Sequence, residues 1–216
     1  MVNEHYNDQY FKFQQSSGAF SGKAMNPFFQ PFIKSSDNVL DFGCGGGFIL
    51  QGLECKSRFG IEINPAAREV AEKNGVKTFA DIDEVEDDWA DVLISCHALE
   101  HTTNPYEIIC SLRTKLKRGG KVVFIVPHET HNKYVPNDVN QHLYTWSEMC
   151  IGNLFSAAGY EVLESKELLY RYPPGYKKLQ RKYGWKIFNV LAKLYARYAS
   201  LRYMTQVRLI AERTIS

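Results

Sequence analysis

The sequence predicts an α/β protein built on a doubly wound, mostly parallel sheet. Three observations carry that expectation. From Asn38 onward, short runs rich in β-branched and aromatic residues alternate with longer stretches of helical periodicity. Runs such as "ADVLISC" (90–96) are nearly all apolar, which suits strands covered on both faces. Proline at a helix start and glycine just past a helix end punctuate the connections.

In chain order, "NVLDF" is the first strand and residues 48–54 a short helix. "SRFGIEI" is the second strand; a helix then opens at Pro65 and closes at Gly75. "VKTFA" and "ADVLISC" are the third and fourth strands. Residues 105–116 follow as a helix with Ile108, Ile109, Leu112 and Leu116 on one face. "GGKVVFIVP" is the fifth strand, entered through a glycine turn. Residues 147–158 form a helix capped by Ser147 and ended by Gly159, and "YEVLESKELLY" is the sixth strand. "QVRLIAER" is the last. Two regions stand outside the alternation: residues 1–37, with one or two aromatic-rich helices around "SSGAFSG", and residues 172–204.

The totals narrow the class. With 44% hydrophobic and 23% charged residues, the 216-residue chain has the composition of a globular domain rather than a disordered one. Its first residues lack the apolar core of a signal peptide, and no apolar run approaches the ~20 residues of a membrane span. Five cysteines without a CxxC pair offer neither a zinc ribbon nor a disulfide framework, so a cytoplasmic location is expected. The net charge of +2 hides an asymmetry. Residues 171–216 carry eleven Lys/Arg against one acid, Glu212, a net +10 that leaves the first 170 residues at −8.

"NVLDFGCGGGFIL" (38–50) sets the functional question, because four glycines in five positions are costly to order. In an open α/β sheet the loop after the first strand lies at the carboxyl edge, where ligands bind. Glycines there let the backbone approach a ligand. An acid about twenty residues on, here Glu62, can bind a ribose hydroxyl. A dinucleotide fingerprint begun at Gly43 and Gly45 needs a third glycine where Phe48 stands, and Asp41 would repel a pyrophosphate. Asp41 suits a nucleoside ligand that carries positive charge instead.

At these residues the chain resembles the class I S-adenosylmethionine-dependent methyltransferases. "VLDFGCGGG" looks like their first motif, "GIEIN" like the second and "FADIDEV" like the adenine-contacting segment. "ADVLISCHALEHTTNP" and "LKRGGKVVFIVP" are similar to the fourth- and fifth-strand motifs, so the resemblance runs in order over roughly residues 35–171. It implies a seven-stranded sheet with an antiparallel last strand, and S-adenosyl-L-methionine as cofactor, leaving as S-adenosyl-L-homocysteine. It further implies that Asp41, Gly43, Cys44 and Gly45 surround the methionine part, with Glu62 on the ribose and Ile63 on the adenine. Asp81 would accept from the adenine amino group beside Ile82, and His97 would lie beneath the sulfonium. The domain division expected is 1–37 as a helical lid and 38–216 as the methyltransferase domain, with 172–204 a basic helical insertion.

A hydroxyl acceptor must lose a proton, and an imidazole is suited to take it near neutrality. Five of the six histidines (97, 101, 128, 131 and 142) follow strand four or five, and His5 alone does not. The loop "PHETHNKYVPNDVNQHLYTWS" (127–147) supplies the candidates: His128 or His142 as base, with Tyr144 and Asn140 orienting the acceptor. Some relatives bind magnesium through a Glu-x-x-Glu-His pattern. Here His97 replaces the first acid before Glu100 and His101, and magnesium prefers oxygen ligands, so no metal is expected.

Tyr6, Tyr10, Phe11 and Phe13 are candidates for closing a lid over the cofactor. In the insertion, Ile187, Phe188, Leu191, Leu194, Tyr195, Tyr198 and Leu201 recur at helical spacing between basic residues. That is the pattern of a helix covering the core, of one lying on an anionic membrane, or of one clamping an acidic substrate, a nucleic acid or a second subunit. The expected partner is a small-molecule acceptor, a sugar or secondary metabolite. "CHALEH" after strand four lacks the Asn-Pro-Pro-Tyr-like segment of enzymes that methylate nucleic-acid bases, which argues against that acceptor. A non-catalytic binding module on the same fold, or an oxidoreductase, is the rival reading.

Overall fold

The computed structural model describes residues 8–129, 133–136, 138, 140–199 and 205–214. For residues 8–17 it describes the backbone alone. Seven strands form one sheet in the order β3-β2-β1-β4-β5-β7-β6. They are β1 (Asn38–Phe42), β2 (Ser57–Ile61), β3 (Lys77–Phe79), β4 (Ala90–Cys96), β5 (Leu116–His128), β6 (Tyr160–Leu168) and β7 (Thr205–Arg213). β1 to β5 pair in parallel, and β7 runs antiparallel between β5 and β6, as the family resemblance implies. Strand order reverses at β1 and β4, so the carboxyl ends of these two strands open the crevice where ligands bind.

Both faces of the central strands are buried, which accounts for their apolar runs. Alternation sends Leu40, Leu93, Phe124 and Val126 to one side, against Ile109 and Leu112 of α4 (Pro105–Lys115) and Ile151 and Phe155 of α5 (Glu148–Ala157). Val39, Ile94, Val123 and Ile125 face the other side, against Met25 and Phe29 of α1 (Asp8–Phe29) and Phe188 of α6 (Tyr176–Ala199). Side-chain caps start the helices where the sequence marks them. Asn64 accepts from Ala66 and Ala67 at α3 (Pro65–Lys73), and Ser147 accepts from Cys150 at α5.

Three elements differ from their expected form. The helix expected over 48–54 ends early, as α2 (Phe48–Gln51): Gly52 follows, and the Arg58 guanidinium collects the Leu50 and Leu53 carbonyls at 2.8 and 2.6 Å. β5 begins at Leu116, before the glycines, by pairing with Ala90 across a shift in register. α6 is broken at Gly184 (φ 72°), and its buried seam is Phe188, Ala192, Ala196 and Ala199. Ile187, Leu194 and Tyr198, read above as part of one apolar face, point to solvent instead, while Leu201 lies outside the described residues. Small alanines let the helix approach the sheet closely, and the bulky side chains are left on the outer surface.

Candidate active site

The loop after β1 turns on Gly43, whose φ of +74° an L side chain rarely adopts and whose missing Cβ would stand 2.3 Å from the Ala98 Cβ. The amides of Gly43 and Cys44 both donate to the Ile61 carbonyl (2.9 and 3.1 Å), tying the loop to the end of β2. Glu62 completes the tie by accepting from Gly45 N and Asn64 N, each at 2.9 Å. Phe48, where a dinucleotide fingerprint would have glycine, lies against the missing side chains of Gly18, Gly22 and Gly46. Glycines at 18 and 22 therefore let α1 lie directly on the loop.

This loop separates two cavities. One, of about 550 Å³, is lined by Gly43, Gly45, Glu62, Ile63, Asp81, Ile82 and His97, among others. The second, of about 590 Å³, is walled by Asp41, Gly43, Cys44, Gly45, Cys96 and His97, by Gly18, Ser21, Gly22 and Met25 of α1, and by Tyr170, Arg171, Tyr172, Thr205 and Gln206. Gly43, Gly45 and His97 border both. Each volume is of the size that holds a small ligand.

All nine residues expected around the cofactor lie in these walls. Asp41 is 2% exposed and its Oδ1 has no hydrogen-bond partner. Burial, and then the nearby Glu62, holds its carboxyl well above the usual carboxylate range. An unpaired buried acid in a cavity wall fits a cationic group such as an ammonium. Burial also raises Glu62, against the lowering pull of the Asn64 and Gly45 amides. Each Glu62 oxygen keeps a second lone pair with which to accept from a ribose hydroxyl. Ile63 is half-exposed over the first cavity, an apolar surface available to a planar base, and Ile82 is buried beside it. Asp81 caps the short turn Ile82–Glu84 by accepting from Asp83 N. Cys44 fills space against Gly60, and burial pushes its thiol up, leaving it inert.

His97 sits at the junction with φ +55°. Gln206 donates to the Tyr170 carbonyl (2.9 Å), so its oxygen faces Nε2 of His97, 3.0 Å away. Nδ1 then faces the fully buried Glu100 carboxylate at 3.3 Å. Burial opposes charge on this imidazole, but Glu100 outweighs it and raises the pKa; the Glu100 pKa is correspondingly lowered despite its own burial.

The three residues expected to act on the acceptor, His128, His142 and Tyr144, line neither cavity, and Asn140 lines neither. His142 binds Glu129 through Nδ1 (2.9 Å), directs Nε2 toward Glu100 at 3.9 Å, and meets His101 edge to face. Tyr144 donates to the Thr103 carbonyl at 3.1 Å and stacks on Trp146. His128 has a buried Nδ1 without a partner. Its strand register faces Thr205. Glu100, His101 and His142 bring ligand atoms within 4.8 Å of one another, but two imidazoles and one carboxylate do not make the oxygen cage of magnesium. His5, His131 and Tyr6 lie outside the described residues, as do the side chains of Tyr10, Phe11 and Phe13.

The sequence reading missed Gln206, Tyr170, Tyr172 and Glu129. The tyrosines follow β6, whose carboxyl end shares an edge with β5, so the strand-end rule could have found them. Gln206 reaches the site only because β7 runs backwards and places its first residues there. No local signal marks it.

The family described as a methyltransferase domain matches residues 17–165. A ubiquinone biosynthesis O-methyltransferase of Roseobacter denitrificans is 28% identical over 144 residues, 61% of this chain and 56% of its own length. A ribosomal protein L11 methyltransferase of Burkholderia lata is 30% identical over 99 residues, 42% of this chain and 32% of its own. The chain spans about half the length of the ubiquinone-pathway relatives it matches. Among solved structures, an S-adenosylmethionine-dependent methyltransferase of Mesorhizobium loti superposes with a TM-score of 0.62 at 16% identity, covering 88% of this chain and 98% of that one.

Proposed function

The chain belongs to the class I S-adenosylmethionine-dependent methyltransferases, and from that membership we propose that it methylates a hydroxyl oxygen of a small molecule. The observation that carries this reading is the pair of cavities meeting at Gly43, Gly45 and His97. The nucleoside occupies the first, and the methionine tail and the acceptor share the second. When bound, S-adenosylmethionine supplies a methyl group on a positively charged sulfur, and its transfer to the acceptor oxygen leaves neutral S-adenosylhomocysteine.

The residues do the rest. Asp41 ionises as it receives the ammonium, Glu62 accepts from the ribose hydroxyls, and Ile63 covers one face of the adenine. The lid role of residues 1–37 belongs to this proposal, with α1 supplying one wall of the acceptor cavity. His97 is the imidazole bordering that cavity; it takes the hydroxyl proton on Nε2 as the acceptor displaces the Gln206 oxygen, while Nδ1–H stays on Glu100. His142, held by Glu129, acts through Glu100 as a positioning residue rather than on the acceptor.

A ring hydroxyl is favoured as the acceptor because the second cavity is walled by Tyr170 and Tyr172, and because relatives are named for O-methylation in ubiquinone biosynthesis. The test is transfer of labelled methyl from S-adenosylmethionine to a dihydroxybenzene bearing an alkyl chain, with ribosomal protein and monosaccharides as competing acceptors. Label on the ring oxygen, lost in Asp41→Asn, is the expected result. Label on protein amines, or tight cofactor binding with transfer to none of these, would overturn the ring-hydroxyl reading.

A further inference from the structure

We propose that the outward face of α6 docks on the surface of an anionic lipid bilayer, with the helix lying along the headgroup plane. α6 carries seven Lys/Arg (177, 178, 181, 182, 186, 193 and 197) and no acid. Beyond the break at Gly184, the seam against the sheet is made by Phe188 and three alanines. Ile187, Val190, Leu194 and Tyr198 are 50 to 70% exposed. Their spacing of three, four and four residues sets them in one line along the helix. Lys186, Lys193 and Arg197 run in the adjacent line, each one position earlier than a member of the stripe.

A helix that only covers a core turns its large apolar residues inward, and this one turns them outward. Leu169, just past β6, extends the apolar surface across a shallow groove of about 360 Å³ to Val190 and Leu194. The chemistry selects the occupant. An anionic surface complements the cations while its acyl boundary receives the stripe, the arrangement of helices that lie in a membrane interface. A two-fold contact with a second copy would set the all-cationic helix against itself. Among the described residues no helix is long and apolar enough to cross a membrane, so the contact lies on the bilayer. Tyr176, in the first turn of α6, rests on Tyr172 of the acceptor cavity at 5.2 Å, so docking sets that cavity beside the lipid. The surface proposal stands whatever group the enzyme methylates.

The experiment is cosedimentation of the full chain with phosphatidylcholine vesicles, pure or carrying about one-third phosphatidylserine. Binding to the anionic vesicles alone, weakening as salt rises, is expected. The triple variant Lys182→Gln/Lys186→Gln/Lys193→Gln should lower partition by on the order of 100-fold. Leu194→Asn/Tyr198→Ser should lower it by on the order of 10-fold. Circular dichroism and thermal melts should match wild type, which separates lost docking from lost folding. No binding to anionic vesicles, or partition unchanged in both variants, would overturn the proposal. So would a dimer, seen by light scattering, that the Leu194→Asn/Tyr198→Ser variant dissociates.

Discussion

The two cavities on either side of the glycine loop are walled by different kinds of chain. The first is bounded by the ends of β1 to β4, by the loops that follow each strand directly and by one face of α4, with Glu62 pinning Gly45 and Asn64. The second is closed by elements remote in sequence: α1 from the beginning of the chain, Tyr170 and Tyr172 after β6, and Gln206 in β7. In the first, the lining rests on backbone held by hydrogen bonds between the ends of neighbouring parallel strands. In the second it rests on side chains brought together by helix packing and antiparallel pairing. A wall of the first kind is held by its own backbone, whereas one of the second kind can change with one helix or one strand end.

The largest predicted effect strikes the boundary that both cavities share. Gly43→Val would force a branched side chain into a positive-φ position against Ala98. Cofactor binding by calorimetry should vanish and the melting temperature should fall; binding within about threefold of wild type would show that the loop tolerates what its geometry forbids.

Asp41→Asn comes next, and it separates ligand recognition from stability. Affinity for S-adenosylmethionine should drop by on the order of 10- to 100-fold, the worth of a charged hydrogen bond. Because the folded pKa of Asp41 is raised, its ionised form costs stability; the cost grows as pH rises from the ordinary carboxylate value to the folded value and is absent below. The Asn variant should therefore melt higher than wild type in neutral solution and equal it in acid. Wild type should release a proton on binding, read as a buffer-dependent heat, and an unchanged heat would mean that Asp41 is already ionised.

Glu100→Gln sharpens the contrast, since it should alter catalysis and leave the first cavity alone. His97 would lose the partner that raises its pKa. The acidic limb of kcat/KM should move to lower pH, with kcat reduced by on the order of 10-fold and cofactor affinity constant. A profile that does not move would remove His97 as the base. The smallest effect is expected from Glu129→Gln, which loosens His142, separated from the acceptor by Glu100 and His97. A loss of about two- to fivefold in kcat, with no change in cofactor affinity, would fit a positioning role.

The same division explains what could be read before folding. Asp41, the glycines and Glu62 are marked by residue type at short spacing, and their role follows from local backbone geometry. The sheet was legible for a similar reason, because strands buried on both faces read as unbroken apolar runs. The expectation for His128, His142 and Tyr144 rests on their standing at or after the end of β5. That rule gives the correct edge of the sheet but not the direction of a side chain, and the loop folds back on Glu100 and Thr103 instead. Gln206 carries no mark at all, since its position depends on pairing with Pro127, a residue in another part of the chain. The apolar spacing on α6 leaves core cover and an outward contact both open, because spacing reports that residues share a face without reporting which neighbour that face meets.

The placement of β7 between β5 and β6 has a consequence for the order in which the molecule can be assembled. Among the described residues β6 pairs with no other strand, and one edge of β5 is open until Thr205–Arg213 arrives. On the ribosome, β1 to β5 and the glycine loop can close early from nearby segments. The wall of the second cavity must wait for a pairing of long sequence separation, the slow kind of contact to form. During that interval β5 presents an unpaired apolar edge, the feature of a nascent chain most prone to pair with a neighbour. β7 is thus the strand that shields the edges of both β5 and β6 from aggregation.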